Sequence, residues 1–394
     1  MRGLIALMFL IIVALPLVAV LAPHGVVIVF AAAALLALTN ARMRAAAATW
    51  LRPSPVTAVL GLALLWMLIA SFWSPDLGHS LRVWASVTAI FVGGMVLIAA
   101  AGAFTPAESR MANTALSAAG VLLALLIAVE IAFDNALVGV ARELIGYQGS
   151  AVTANNINGA TALLAVLAAP LARALHDRLG APAGLAMAIG AIVVLWFAPM
   201  EAALAAILAA SLMVVLVLRW PRPVLAIVMI AFAVGLVCAP LIPHYLLGAV
   251  LGDDLSEVLP SAWKHRVLIW QFVAERIGEK PLFGWGFDAS RNIPGNRDLL
   301  FEGAAALPLH PHNGVLQLWL ELGPLGAALG LALALLVMAR LRRGPPINAA
   351  IGAGVLAAWA IFALVSYGAW HNWWLVVPWL GAAMCTVTIP ARDA

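Results

Sequence analysis

Short basic or proline-containing corners cut this chain into long, uninterrupted apolar runs, and that pattern limits what it can fold into. A helix rises 1.5 Å per residue, so about 17 to 25 apolar residues cross the roughly 30 Å of a bilayer's hydrocarbon layer. Apolar runs occupy residues 4–21, 26–38, 56–72, 83–101, 113–132, 157–175, 184–198, 202–218, 224–242, 314–339, 349–366 and 373–389. Of the 394 residues, 65% are apolar and 10% charged, against about 25% charged in soluble domains, so no water-facing surface can be built from this chain. The spacing predicts an all-α polytopic membrane protein with about twelve transmembrane helices. The first run follows Met1-Arg2 as a signal peptide would, but the spans behind it favour an uncleaved first helix.

Arginine placement sets the expected orientation. With the N-terminus inside, inner corners hold Arg42, Arg44, Arg52, Arg110, Arg173, Arg178, Arg219, Arg222, Arg340, Arg342 and Arg343, while short outer loops hold only Arg82 and Arg142. That asymmetry satisfies the positive-inside rule and puts both termini in the cytoplasm. The run 26–38 is the shortest, but without it the basic Arg42 to Arg52 loop would fall on the wrong side. The net charge of +4 is therefore read as topology and not as affinity for nucleic acid. Cys238 and Cys385 lie inside apolar runs, where packing is the expected role.

Three parts follow: residues 1–242 with helices one to nine, a long outer loop at 243–311, and residues 312–394 with helices ten to twelve. The loop carries Lys264, Arg266, Arg276, Lys280, Arg291 and Arg297 beside eight carboxylates. Within it, Ser261 to Glu279 reads as an amphipathic helix: Trp263, Val267, Trp270, Val273 and Ile277 recur at helical spacing. Such a helix lies on the membrane or caps the bundle. Pro281 ends it, and Phe283-Gly-Trp-Gly-Phe287 supplies a turn whose aromatics suit either an interfacial belt or sugar stacking.

The loop ends at His310-Pro-His312-Asn313, at the mouth of the tenth helix. An imidazole at that boundary titrates near working pH and can take a proton from a hydroxyl. A continuous helix from His312 to Ala339 would measure about 42 Å, longer than the hydrocarbon layer. Glu321 would lie about 13.5 Å deeper than His312 on roughly the opposite face, accepting hydrogen bonds inside the bundle.

His312-Asn313, nine residues, Gly323, two residues and Gly326 resembles the signature of the O-antigen ligase and polymerase superfamily. Arg266-Val-Leu-Ile-Trp270 and Pro281-Leu-Phe-Gly-Trp-Gly-Phe287 are similar to the arginine-tryptophan and Pro-x-x-Gly-x-Gly segments of the same superfamily. Phe72-Trp-Ser-Pro-Asp76 and Asn155-Asn-Ile-Asn-Gly159 are weaker echoes. The resemblance implies a GT-C-like inner-membrane glycosyltransferase. Such an enzyme moves a glycan from an undecaprenyl diphosphate-linked donor to an acceptor hydroxyl on the periplasmic face, inverting, with neither metal ion nor cofactor. The acceptor is lipid A core in ligases, another carrier-linked glycan in polymerases, and a protein hydroxyl in the oligosaccharyltransferase branch.

On that reading His312 is the base and Arg266 meets the diphosphate. Asn313 orients the imidazole or a sugar hydroxyl, and Arg291 and Arg297 are further substrate-binding candidates. Many members carry an arginine in the outer turn before the eighth helix. Here that turn reads Phe197-Ala-Pro-Met-Glu-Ala202, and Glu201 would repel phosphate, so Arg82 or Arg142 is the candidate substitute. A transporter of lipid-linked glycans is the competing class. Paired midplane charges would favour it, but buried charges here are few, Glu130 and Glu321, and the polar chemistry gathers in the outer loop. A purely structural membrane subunit gives no reason for His312 and Arg266.

Overall fold

A computed structural model describes residues 2–50, 52–147, 151–247, 259–301 and 303–388. Its helices, numbered in chain order, begin with α1 Arg2–Leu21, α2 Val26–Thr39, α3 Ala41–Trp50, α4 Pro55–Ser71 and α5 Leu77–Gly102. Next come α6 Pro106–Ala132, α7 Ala136–Leu144, α8 Asn158–Leu179, α9 Ala181–Trp196, α10 Glu201–Arg219 and α11 Pro221–Cys238. The set closes with α12 Ser261–Glu279, α13 Gly314–Arg343, α14 Pro346–Val365 and α15 Asn372–Thr388. Among the described residues seven helices are long and apolar enough to cross a membrane: α5, α6, α8, α10, α11, α13 and α14. The bent pair α2–α3 makes an eighth if taken as one span, and α1, α4, α9 and α15 are shorter apolar helices. The protein is thus an all-α, multi-pass architecture of the membrane type.

The core forms around α8. Residues Ala160 to Leu167 are buried without interruption, and α8 touches α1, α6, α9, α10, α14 and α15. A helix that is apolar all round belongs inside, and alanines let its neighbours approach closely. By contrast α11 turns Ile227, Ile230, Val234 and Val237 outward. The cysteines Cys238 and Cys385 are both partly buried, with no disulfide.

Two segments depart from the apolar-run reading. The expected basic loop after the second helix is largely helical, because Asn40 Oδ1 accepts from the backbone N–H groups of Arg42 and Met43 and starts α3 at 106° to α2. Arg42 of α3 then pairs with Glu108, 2.5 Å away at the start of α6. The second is α7, too short and polar to register as a run. Buried Glu130 starts it by accepting from Leu137 N–H at 2.7 Å and Val138 N–H at 3.2 Å. A two-stranded hairpin, β1 Leu299–Phe301 paired antiparallel with β2 Ala304–Ala305, adds the described β structure.

The amphipathic helix expected over 261–279 is present as α12 and caps the bundle. Its buried Ile269, Phe272, Val273 and Ile277 pack with Leu316 and Leu320 of α13 and with Trp285, Ala289 and Ile293 of the following loop. The segment from α12 to Leu307 therefore has a small core of its own, seated on the first half of α13.

Candidate active site

The expected continuous tenth helix is broken. At Gly323 the backbone turns to φ 65°, ψ −166°, and Pro324 follows. Proline has no N–H, so the Leu320 carbonyl loses its helical donor, and the turn at Gly323 opens the next carbonyls too. The glycine-rich turn fills these vacancies. Trp285 N–H donates to Leu320 O at 2.8 Å and Gly286 N–H to Glu321 O at 3.0 Å, while Trp66 Nε1–H reaches Leu322 O at 2.9 Å. Contact this close needs glycine: a Cβ on Gly284 would lie 2.6 Å from the Glu321 backbone, and one on Gly323 2.5 Å from Leu282 O. A Cβ on Gly286 would meet Ser74 at 2.5 Å, and Ser80 Oγ donates to Phe287 O at 2.8 Å. Three separate sequence segments, 72–76, 281–287 and 323–326, thus meet at one kink.

Glu321 clamps this assembly. Its fully buried carboxylate accepts five hydrogen bonds, from Asp288 N–H (2.9 Å), Ser290 N–H (3.3 Å), Ser290 Oγ–H, Gln317 Nε2 (3.0 Å) and Trp370 Nε1–H (2.5 Å). Gln317, one turn earlier, also accepts from Ala369 N–H at 2.8 Å. Two polar residues at helical spacing on α13 therefore tie down both the 284–290 loop and the 366–371 loop between α14 and α15.

Between those loops stand three histidines. The ring centroids of His310 and His312 are 4.4 Å apart and those of His310 and His371 4.8 Å. His312 sits at φ 53°, a strained setting for a side chain, and its Nδ1 lies 2.6 Å from the Ser366 carbonyl. A carbonyl only accepts, so Nδ1 carries the proton and Nε2 presents a lone pair. His312 N–H in turn donates to His310 Nδ1 at 3.2 Å, and Trp270 Nε1–H donates to Pro311 O at 2.9 Å, fixing the segment from both sides. Burial lowers the pKa of His312 against the Ser366 bond, which raises it, and nearby Arg266 and His265 lower it further. Burial and neighbouring charge likewise push His310 down to about 2 and His371 to about 4, so the cluster is neutral at pH 7. Asn313 caps α13: its side-chain oxygen accepts from Val315 N–H and Leu316 N–H, both at 3.0 Å.

Arg266 shares one electrostatic neighbourhood with His312, stands 5.3 Å over the Trp263 ring, and is desolvated there. Glu201 of the α9–α10 turn favours its charged form. The carboxylate that stands where the resemblance implies an arginine thus belongs to the electrostatic surroundings of Arg266. Beside the histidines a cavity of about 190 Å³ is lined by His79, Val83, Asp288, Arg291, Leu309, His310, Gln317, Gly368, Trp370, His371 and Asn372. Arg291 therefore comes into the site, its Nε buried without a hydrogen-bond partner among the described residues. Asp288, at φ 52°, lies 2.8 Å from His79 Nε2, an ion-pair distance outside hydrogen-bond geometry. Burial, partly opposed by Arg291 and reinforced by Asp76, raises the Asp288 pKa to about 6.

The remaining predicted cations are more distant. Arg82 is exposed on the α5 turn that sends His79 and Val83 to the cavity and is not among the cavity's lining residues. Arg142 stacks 5.0 Å over Tyr147 on α7, which packs on α1 and α6, and Arg297 is exposed next to the hairpin. The aromatic turn needs correction: Trp285 and Phe287 are buried, so they form neither a belt nor a stacking platform. Trp285 Nε1–H donates to Arg276 O, and Phe287 packs 4.8 Å from Trp370. Phe283 remains exposed beside Trp66 and Trp73. His371, His79, Asp288 and Gln317 were missed as site residues. Gln317 had a legible signal, a second polar residue four before Glu321 in an apolar helix; the others are joined only by tertiary contact.

Among the described residues no group of three His, Cys, Asp or Glu side chains is arranged to hold a metal ion. Residues 185–331 match the sequence model of the Wzy_C family, described as O-antigen ligase. Two relatives carry the provisional name polysaccharide ligase. The protein of Rickettsia bellii is 32% identical over 192 residues, covering 47% of each chain. That of Rickettsia felis is 31% identical over 192 residues, again 47% of each. The matched region thus spans about half the length of those relatives. The segment similar to the O-antigen ligase family model runs from α9 to the middle of α13 and holds Glu201, Arg266, Arg291, His312 and the Gly323 kink.

Proposed function

We propose that this protein moves a glycan from an undecaprenyl diphosphate carrier to a sugar hydroxyl, with lipid A core as acceptor: the O-antigen ligase reaction. The observation that carries the proposal is the setting of His312. Ser366 holds the proton on Nδ1, so Nε2 is a neutral base beside Arg266. The acceptor oxygen attacks the anomeric carbon opposite the diphosphate while its proton passes to His312 Nε2. The bond from that carbon to the phosphate oxygen breaks, its electron pair leaves on the diphosphate, and the configuration inverts. Arg266 meets the growing negative charge, and Arg291 contacts phosphate or an anionic sugar substituent from the cavity. Asn313 sets the start of α13 and so the place of His312. Arg82, between the cavity-lining His79 and Val83 in sequence, is the better of the two outer-loop cations for substrate contact; Arg142 and Arg297 would touch only distal parts of the glycan.

On this reading the seven long helices, α2 of the bent pair and the four shorter ones cross the inner membrane in a GT-C-like bundle, with α3 in the inner corner. Both termini are cytoplasmic, 243–311 is the periplasmic loop between residues 1–242 and 312–394, and His312 faces the periplasm. The buried carboxylates inside the apolar spans, Glu130 starting α7 and Glu321 clamping the loops, have structural partners, which favours an enzyme over a transporter. Polymerisation of carrier-linked units would use the same base. Deletion separates the readings: carrier-linked long polymer with bare core marks a ligase, single repeat units on the core a polymerase, and substrate held on the cytoplasmic face a transporter. Cells complemented with His312→Ala are expected to make the protein at normal level, insert it, and show no transferred glycan on lipopolysaccharide gels. A normal ladder from that variant overturns the proposal.

A further inference from the structure

At the opposite end of α13 from His312, a second and larger cavity of about 1030 Å³ opens where the α10–α11 corner meets the α13–α14 corner. Arg219, Arg222, Arg342 and Arg343 all line it, and among the described residues lining it there is no carboxylate. All four arginines are exposed, and Arg219 stands 5.1 Å over the ring of Trp220, itself half-exposed. The neighbouring apolar cluster is made by Val217, Leu225, Ala349, Ala350 and Ala353 of the same helices. From this corner the outward face of α11 continues as an apolar strip of Ile227, Ile230 and Val234.

Arginines holding an inner loop need not converge, since topology counts charge and not geometry. Here four guanidiniums share one cavity, at the end of an apolar wall, with an indole at its edge. Guanidinium groups pair with phosphate oxygens two at a time, and basic pockets between membrane helices suit anionic headgroups. We infer that this cavity binds the headgroup of an anionic membrane phospholipid bearing two phosphates, with its acyl chains along α11. The volume exceeds what one phosphate fills, and four guanidiniums supply two for each phosphate. A headgroup there would bridge both corners and help hold α11 against the bundle, alongside the packing of Leu225 and the Trp319 Nε1–H bond to Leu236 O at 2.9 Å. This inference stands apart from the transfer reaction.

The test uses the full chain in detergent, with melting followed as lipid is added. Diphosphatidylglycerol is expected to raise the melting temperature by several degrees, and phosphatidylcholine to leave it unchanged. Substituting Arg222→Gln together with Arg342→Gln, outside the transfer site, is expected to weaken that effect roughly 30-fold in lipid concentration, at about a kilocalorie lost per arginine. An equal shift with phosphatidylcholine overturns the inference, as does an unchanged response in the double variant. An equal shift with inorganic pyrophosphate overturns the lipid source in favour of a soluble diphosphate. A larger shift with undecaprenyl diphosphate overturns it in favour of the carrier. The lipid comparison on the unmodified chain decides even if the double variant fails to insert.

Discussion

Glu321→Gln tests how the site is held together. The carboxylate presents Oε2 to Asp288 N–H and Trp370 Nε1–H, and Oε1 to Gln317 Nε2 and to both the N–H and hydroxyl of Ser290. Glutamine keeps one acceptor oxygen and replaces the other with an NH2 group that accepts nothing. Whichever way the amide turns, two buried donors face that NH2: Asp288 N–H and Trp370 Nε1–H, or Ser290 N–H and Gln317 Nε2, the serine hydroxyl being able to rotate and accept. Each buried donor left unpaired costs about 1–3 kcal/mol, so the variant should lose about 2–6 kcal/mol. The loss falls on the loops that flank His312 and line the cavity, so transfer should fall with stability although no group assigned to catalysis has changed. Unfolding of the purified protein in detergent, followed by tryptophan fluorescence across a denaturant series, measures the first effect, and glycan transfer in complemented cells the second. If Glu321→Gln unfolds within about 0.5 kcal/mol of the parent, the clamp described above is wrong.

Arg266→Ala should lose transfer, and Arg266→Lys should recover part of it, because an ammonium keeps the charge but not the paired donors; full activity of the alanine variant would reduce Arg266 to a packing residue over Trp263. Gly323→Ala should lower stability by about 1–3 kcal/mol or abolish folding, since φ 65° and a contact of 2.5 Å to Leu282 O leave no room for a methyl group; parent-like melting would contradict the kink. The histidines predict a pH effect of definite sign. His371 titrates near 6.5 when unfolded and about 4 when folded, so between those values the unfolded chain holds the extra proton. Stability present above pH 6.5 is therefore lost as pH falls towards 4, by about 3 kcal/mol from this residue at about 1.4 kcal/mol per unit. His371→Asn should flatten that slope in denaturation at pH 7.5 and 5, and an equal slope in both proteins would refute it.

Apolar run length depends on local composition alone, so the apolar helices, their approximate bounds and the amphipathic character of α12 were legible in the sequence, while α3 and α7 were not. Residue type and short spacing also singled out His312, Arg266 and the glycines around them as candidates. What a run cannot record is a break within it. Gly323 and Pro324 stand in an apolar stretch, and only the loop backbone arriving at their carbonyls shows that the helix opens there and why Gly284 and Gly286 must be glycine. Likewise the sequence reads Glu201 only as a charge that would repel phosphate, whereas in the fold it favours the charged form of Arg266. His79, Asp288 and His371, more than 200 residues apart at the extremes, come together because α13 offers Gln317 and Glu321 to two different loops. Chain-local chemistry fixes which groups exist and which segments enter an apolar layer; hydrogen bonds and charges between distant segments decide which of those groups share a site.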